Sequence, residues 1–224
     1  HMKALTLEPI AALQVLIPES MRRLNIALVD IGAGTSDIAL TRDGTVTAYG
    51  MVPVAGDEIT EALSDAYLLD YREAEQMKRA IHPETATTIT DILGFETDVS
   101  YSEFTHVIDA AVSHLGETIA EEILTLNQQP PKAVMLIGGG SLTPYITDKI
   151  ADQLKLPKNR VAIRDVEAIE HLNKTDRLPS GPDFVTPIGI AISAEEQPIH
   201  SVTVRINNQP LRIFETKKMT VGDC

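Results

Sequence analysis

Asn25–Leu40 reads NIALVDIGAGTSDIAL. An apolar run ends in Asp30, a turn with glycines at 32 and 34 follows, and Asp37 opens a second apolar run. Asn25–Val29 is short, continuously apolar and bounded by turn residues, the pattern of a buried strand. Asp37–Val54, DIALTRDGTVTAYGMVPV, reads as two further strands joined at Asp43-Gly44, a strong hairpin signal. An antiparallel meander of three strands is therefore expected. Gly32 and Gly34 are expected to allow positive φ in the turn and a close approach of the backbone to an anion. Successive N–H groups in such a turn form a phosphate nest. Thr35 and Ser36 add hydroxyl donors, and Asp30 at the strand end is placed to hold a hydrated Mg2+ or an attacking water. A glycine-bearing hairpin with no ligand fits the bare pattern equally well. The turn lacks the Gly-Lys-Ser/Thr ending of a P-loop and the third glycine of a dinucleotide fingerprint. Both of those motifs also need a helix next, where a strand is expected here.

Working outward, LTLEPIAALQVLI (Leu5–Ile17) has helical spacing with Pro9 in its first turn. Helices are expected at Asp57–Leu69 and Tyr71–Ile81, then a small hairpin across Glu84–Tyr101. The longest helix is expected at Ser102–Leu126, with Ser102 as its N-cap. His106 and His114 fall on a solvated flank of that helix and show no ligand-like clustering. Ala133–Ile137 reads as a buried strand that runs into Gly138-Gly139-Gly140-Ser141. A helix over Thr143–Leu154, capped by Ser141 or Thr143, follows. After it come a strand at Arg160–Ile163 and a last apolar helix over DFVTPIGIAIS. A meander followed by strand–helix alternation specifies an α/β domain with a mixed sheet. The tail alternates apolar and polar residues on both sides of Asn207-Asn208, as a separate β-hairpin, with SAEEQPIH as its linker.

Composition narrows the function. The chain has 224 residues, 43% of them hydrophobic, enough for a packed core. Its formal net charge is 19 − 32 = −13, which argues against a general nucleic-acid binder and against unaided adsorption to anionic lipid. The single cysteine, Cys224, can form no intrachain disulfide and fits a reducing, cytoplasmic setting. No apolar run approaches the roughly 20 residues that span a bilayer. His1-Met2 reads as an expression scar, and TVGDC carries no stop signal, so a piece of a longer protein is expected.

Two glycine turns, each after a strand and some hundred residues apart, form a recognisable combination. With LEPIAAL, EAEQMKR and TPIGIA in this order, the chain resembles the second half of the actin-like ATPase superfamily, which includes actin, DnaK-type chaperones and sugar kinases. VDIGAGTSDIAL is similar to its second phosphate motif, LIGGGSLTP to its adenosine motif, and TPIGIA to its final connecting helix. The wording of the hairpin and of GDEITEAL…EAEQMKR is closer to FtsA, MreB and PilM than to chaperones, which usually carry GGEDFD at that turn.

The resemblance implies a ribonuclease H-like, actin-type second domain: a mixed five-stranded sheet with flanking helices, a small α+β insertion at about 57–128, and an extra C-terminal β-hairpin. The domain would span 3–195, with 196–224 as the start of a further module. It implies ATP and Mg2+ as ligands. Gly32, Ala33, Gly34, Thr35 and Ser36 would cradle the phosphates. Asp30 would order Mg2+ through water, and Glu8 would polarise the attacking water. Glu75 and Lys78 would contact ribose or adenine, although at i,i+3 they read equally as an exposed ion pair. Gly138, Gly139, Gly140 and Ser141 would border the base. Partners would be division or envelope proteins, with self-assembly, and membrane association only through parts outside this chain. A chaperone-like or small-molecule kinase ATPase and an inactive interaction module are the alternatives. No second phosphate hairpin precedes Glu8, so this half alone should bind nucleotide weakly.

Overall fold

The computed structural model describes residues 7–84, 86–170, 172, 179–196, 201–206 and 209–214. In chain order its elements are α1 (Glu8–Leu16), β1 (Ile26–Ile31), β2 (Ser36–Arg42), β3 (Thr45–Val52), α2 (Gly56–Tyr67), α3 (Tyr71–Ala80), β4 (Thr87–Thr90), β5 (Glu96–Val99), α4 (Tyr101–Asn127), β6 (Ala133–Ile137), α5 (Ile146–Leu154), β7 (Val161–Ile163), α6 (Val185–Glu196), β8 (Ser201–Ile206) and β9 (Gln209–Phe214). The main sheet has the order β3-β2-β1-β6-β7. β1, β2 and β3 pair antiparallel, whereas β6 lies parallel to both β1 and β7. This is the mixed five-stranded sheet expected from the sequence. Asp43 and Gly44 both take positive φ, 53° and 87°, as a two-residue turn matched to strand twist requires.

The continuous apolar character of β1 has a direct cause: both faces of the sheet are covered. Ala27, Val29 and Ile31 join Ile38, Leu40 and Leu136 in a core shared with α2, α4 and α5. Ile26 and Leu28 point the other way, with Ala39 and Ile137, into a smaller core shared with α1 and the start of α6. Period-2 alternation thus splits one strand between two cores. α1 and α6 meet in backbone contact, since a Cβ on Gly189 would lie 2.7 Å from the Ala11 carbonyl oxygen. β4 and β5 form their own two-stranded sheet beyond α3, and β8 and β9 form another. The turn at Asn207-Asn208, the link at 197–200 and Cys224 lie outside the described residues.

Several boundaries differ from expectation, α2 for example ending at Tyr67 and not at Leu69, and those of α4, α5 and α6 bear on the reading. α4 starts at Tyr101, and its cap is Ser100, not Ser102. The Ser100 hydroxyl accepts from the Glu103 amide at 3.3 Å, and the Glu103 carboxylate accepts from the Ser100 amide at 2.9 Å. A cap at Ser102 would put Thr105, which has no carboxylate, at the position that closes this box. α5 starts at Ile146 and not at Thr143, after a 3-10 turn at Gly139–Leu142. Pro144 disfavours helical backbone at the residue before it, and Thr143 is extended, with φ −59° and ψ 128°. Neither Ser141 nor Thr143 caps α5; Tyr145 stands there with φ 65° and no side-chain cap. α6 runs to Glu196 and so takes up the first residues of the expected linker. Among the described residues no helix is long and apolar enough to cross a membrane.

Candidate functional site

β1 and β6 are adjacent and parallel, so their C-terminal ends lie side by side, and both glycine turns leave from there. On one side of β1 the neighbour is antiparallel and on the other it is parallel. Such a change of direction is where α/β sheets open a crevice. The first turn, residues 32–35, is exposed throughout. The Gly32 amide closes the turn on the Thr35 carbonyl at 3.0 Å. The carbonyls of Gly32 and Ala33 are taken by the start of α2, from the Gly56 amide at 3.1 Å and the Asp57 amide at 2.8 Å. With its carbonyls tied inward, the turn leaves the amides of Ala33, Gly34 and Thr35 without an acceptor among the described residues. This donor set suits an anion.

Neither Gly32 nor Gly34 takes positive φ. At Gly32 the lack of a side chain serves close approach instead, whereas Gly34 has ordinary room for one. A Cβ would stand 3.2 Å from the Thr35 oxygen at Gly32 and 3.5 Å from Asp57 Oδ2 at Gly34. Ser36 departs further from expectation: it is fully buried, and its hydroxyl donates to the Val54 carbonyl at 2.7 Å. That hydroxyl braces the turn and is not offered to a ligand.

In the second turn it is Gly138 that needs its special conformation, with φ 80°. A Cβ there would land on Asp30 Oδ1 and the Ile31 carbonyl, and one on Gly140 would press on the Ile31 and Gly32 carbonyls. The two turns are therefore in backbone contact. A Cβ on Gly139 would meet nothing within 4 Å, so its surface is open. Ser141 is buried, with its hydroxyl donating to the Gly138 carbonyl at 2.7 Å. It shapes the loop and has no side-chain group left for a base.

Glu75 and Lys78 reach this region through α2. Lys78 Nζ stands 2.5 Å from Glu75 Oε2, and it donates to the Gly56 carbonyl at 3.0 Å and to Thr60 Oγ1 at 2.7 Å. The pair is an i,i+3 ion pair, but only 20% and 24% of the two side chains are exposed, so it is not a solvated surface pair. Burial pushes the Glu75 carboxyl up, yet hydrogen bonds from Lys78, Thr60 and Arg79 together outweigh burial and hold it at about 2. Because Gly56 also donates to Gly32, Lys78 is one hydrogen bond removed from the phosphate-type turn.

The acidic groups gather on the α1/α6 side. Asp30 and Asp37 are direct cross-strand partners. Burial raises the Asp30 carboxyl above the usual carboxylate range, a hydrogen bond from Thr186 opposes this, and the charges of Glu8 and Asp37 raise it further. The Tyr49 hydroxyl donates to Asp37 Oδ1 at 2.5 Å and is itself pushed up to about 12 by that bond. Glu8, the first residue of α1, is exposed beside this cluster. Among the described residues no group of three or more His, Cys, Asp or Glu is arranged to hold a metal ion directly. A cation at Asp30 would need water or phosphate oxygens to complete its shell.

Sequence reasoning missed Asp37, Tyr49, Thr186 and Asp57. Asp37 lies inside the quoted stretch, so it was within reach. Tyr49 and Thr186 carry no local signal, because only the sheet register and the α6 packing bring them in. A concavity of about 290 Å³ lies away from the glycine turns, between α3 and β4, lined by Leu69, Glu73, Met77, Thr88 and Ile89 among others. The glycine turns themselves form an open shelf.

Two glycine turns on adjacent parallel strand ends thus form one open shelf at the edge of a mixed five-stranded α/β sheet. Among solved structures the fold is similar to the PilM–PilN type IV pilus biogenesis complex, with a TM-score of 0.66, 22% identity, and coverage of 87% of this chain and 53% of that one. It is also similar to MreB 5 of Spiroplasma citri bound to AMPPNP, with a TM-score of 0.60, 20% identity, and coverage of 83% and 57%. Residues 27–189 match the family model described as cell division protein FtsA, and the chain belongs to that family. The FtsA of Neisseria meningitidis is 28% identical over 202 residues, 84% of this chain and 47% of that protein. That of Bacillus subtilis is 25% identical over 174 residues, 71% and 40%. The chain thus spans less than half the length of these relatives.

Proposed function

We propose that this chain is the nucleotide-binding half of an actin-family assembly protein of the cell-division type, taking ATP with Mg2+ on the glycine shelf. The observation that carries this reading is the set of acceptor-free amides at 33–35, in backbone contact with a second strand end whose Gly139 surface is open. The amides and the Thr35 hydroxyl would hold the β- and γ-phosphates. Gly139 and Gly140 would lie along the base, and Glu75 and Lys78 would border the ribose and adenine edge. Asp30 would orient water, and Glu8 would polarise the attacking one. Mg2+, when bound, would neutralise phosphate charge. Everything else asked of these residues is positioning and charge stabilisation.

Residues 3–195 would be one domain with an inserted subdomain at about 57–128, and 196–224 would begin another module. A second domain would close the shelf, so this half alone should hold nucleotide weakly and turn it over little. The parent protein would act in the cytoplasm, with itself and with division or envelope proteins as partners. The net charge of −13 speaks against nucleic acid.

Calorimetric titration of Mg-ATP into this chain, and into a chain carrying both halves of the clamp, tests the reading. Weak binding in the first and tighter binding in the second is expected. No binding in the two-half chain overturns it. Glu8→Ala and Asp30→Ala should abolish turnover there. If neither changes turnover or assembly, the fold is an interaction module only.

A further inference from the structure

Thr186 sits in the first turn of α6 with 8% of its surface exposed. A threonine near a helix start commonly bonds to its own backbone. This hydroxyl instead donates across 156 positions of sequence to Asp30 Oδ2, at 2.5 Å. The other carboxylate oxygen, Oδ1, lies against Gly138, where a Cβ would collide with it. Asp30 is therefore held by a hydrogen bond on one oxygen and hemmed in at the other by the second glycine turn. α6 is in turn locked to α1 at Gly189 and Ala11, and α1 begins with Glu8. One helix pair thus carries both the hydroxyl that bonds to Asp30 and the exposed Glu8.

We infer that Thr186 is a positioning residue of the nucleotide site, holding the Asp30 carboxylate in the orientation in which it orders the water around the nucleotide's metal ion. The inference rests on the nucleotide reading above. Without the hydroxyl, Asp30 keeps its place on β1 but loses the donor that fixes its plane and offsets its burial. Groups that orient a ligand-ordering carboxylate typically change metal affinity or activity by roughly 10- to 100-fold when removed.

The test compares Thr186→Val, which removes the hydroxyl at constant shape, with Thr186→Ser, which keeps it, in a chain carrying both halves of the clamp. ATP affinity is measured by calorimetry with Mg2+ and with EDTA, alongside turnover. Thr186→Val should lose about 10-fold or more of the Mg2+-dependent gain in affinity, leave the EDTA affinity unchanged, and lower turnover at saturating Mg-ATP. Thr186→Ser should restore all three towards wild type. If Thr186→Val loses affinity equally with Mg2+ and EDTA, the role is merely structural and the inference fails. If it binds and turns over as wild type does, the inference fails while the nucleotide reading stands. If wild type binds no nucleotide under either condition, the nucleotide reading fails first and takes the inference with it. Thr186→Ala, also without the hydroxyl, replaces Thr186→Val should the latter not fold by thermal melting.

Discussion

Gly138 and Gly139 are neighbours of the same residue type, yet the structure gives them opposite duties. Gly138 has φ 80°, and an added Cβ would sit 2.9 Å from the Ile31 carbonyl carbon and closer still to its oxygen and to Asp30 Oδ1. With ψ 160° this is backbone that only glycine adopts freely, and alanine there costs about 1–3 kcal/mol; forcing a methyl into a packed site costs a further ~1–3 kcal/mol. Gly138→Ala should therefore destabilise by about 2–6 kcal/mol, a melting-point drop of roughly 4–24 °C for a chain of this size. Gly139 has no positive φ and open space around its Cβ position. Gly139→Ala should leave stability within about 0.5 kcal/mol of wild type. Its methyl would stand on the proposed shelf, where crowding of about 1–3 kcal/mol amounts to a roughly 5- to 150-fold loss of nucleotide affinity. Thermal melts and titration with a fluorescent ATP analogue, run on both variants, separate packing from binding. Equal destabilisation by the two substitutions would refute the assignment of duties. So would a Gly139→Ala variant with both stability and affinity unchanged.

Three further expectations follow from single contacts. Glu75 titrates at about 2 in the fold against an ordinary value of 4.5, so it contributes stability that is present above 4.5 and lost as pH falls through 2; Glu75→Gln should flatten the acid limb of a stability–pH curve in that window, and an unchanged limb would show that the ion pair contributes nothing. Tyr49 is held at about 12, so the stability its bond contributes is present below the unfolded value near 10 and lost as pH rises through 12; a spectrophotometric titration should lose one late-titrating tyrosine in Tyr49→Phe. Ser100→Ala should cost about 1 kcal/mol in chemical denaturation and Ser102→Ala only a few tenths, with the reverse order refuting the observed start of α4.

The framework of this fold was legible because its signals are local. The Asp43-Gly44 turn, the apolar runs of β1 and β6, and the helical spacing of α1 and α4 can each be read from consecutive residues of one segment. What stayed hidden depends on contacts across the chain. Ser36 looks like a ligand donor in the sequence, and nothing local says that the Val54 carbonyl will take its hydroxyl; Ser141 gives its own to Gly138, three residues back. Glu75 and Lys78 look like a surface pair because the periodicity of α3 cannot reveal that α2 packs over it. Gly32 and Gly34 were expected to allow positive φ in the turn, whereas neither takes it, and Gly32 instead leaves room for the Thr35 carbonyl. Thr186 becomes interesting only once α6 lies against α1.

The Asp30–Asp37 pair is the feature that least resembles a device for stability. Two carboxylates directly opposite on one face of an antiparallel pair repel each other, and burial makes the Asp30 charge costlier still. The chain supplies each with a hydroxyl from a different element, Thr186 from α6 and Tyr49 from β3. Such residual strain is expected where a site has been kept at the expense of stability. Asparagine is isosteric with aspartate and can still accept from either hydroxyl, so Asp30→Asn and Asp37→Asn isolate the charge. Each single substitution should stabilise the fold at neutral pH. Each removes the same repulsion, so the double variant should gain less than the sum of the singles by about 0.2–1 kcal/mol, the range for such cross-strand pairs. Both should weaken Mg-ATP binding. Chemical denaturation at neutral pH and again at low pH measures the coupling, which should shrink in acid as Asp30, whose carboxyl is raised by burial, protonates. Additive, destabilising effects at both pH values would mean that the two aspartates serve the fold, and the case for a charged site at the end of β1 would fall.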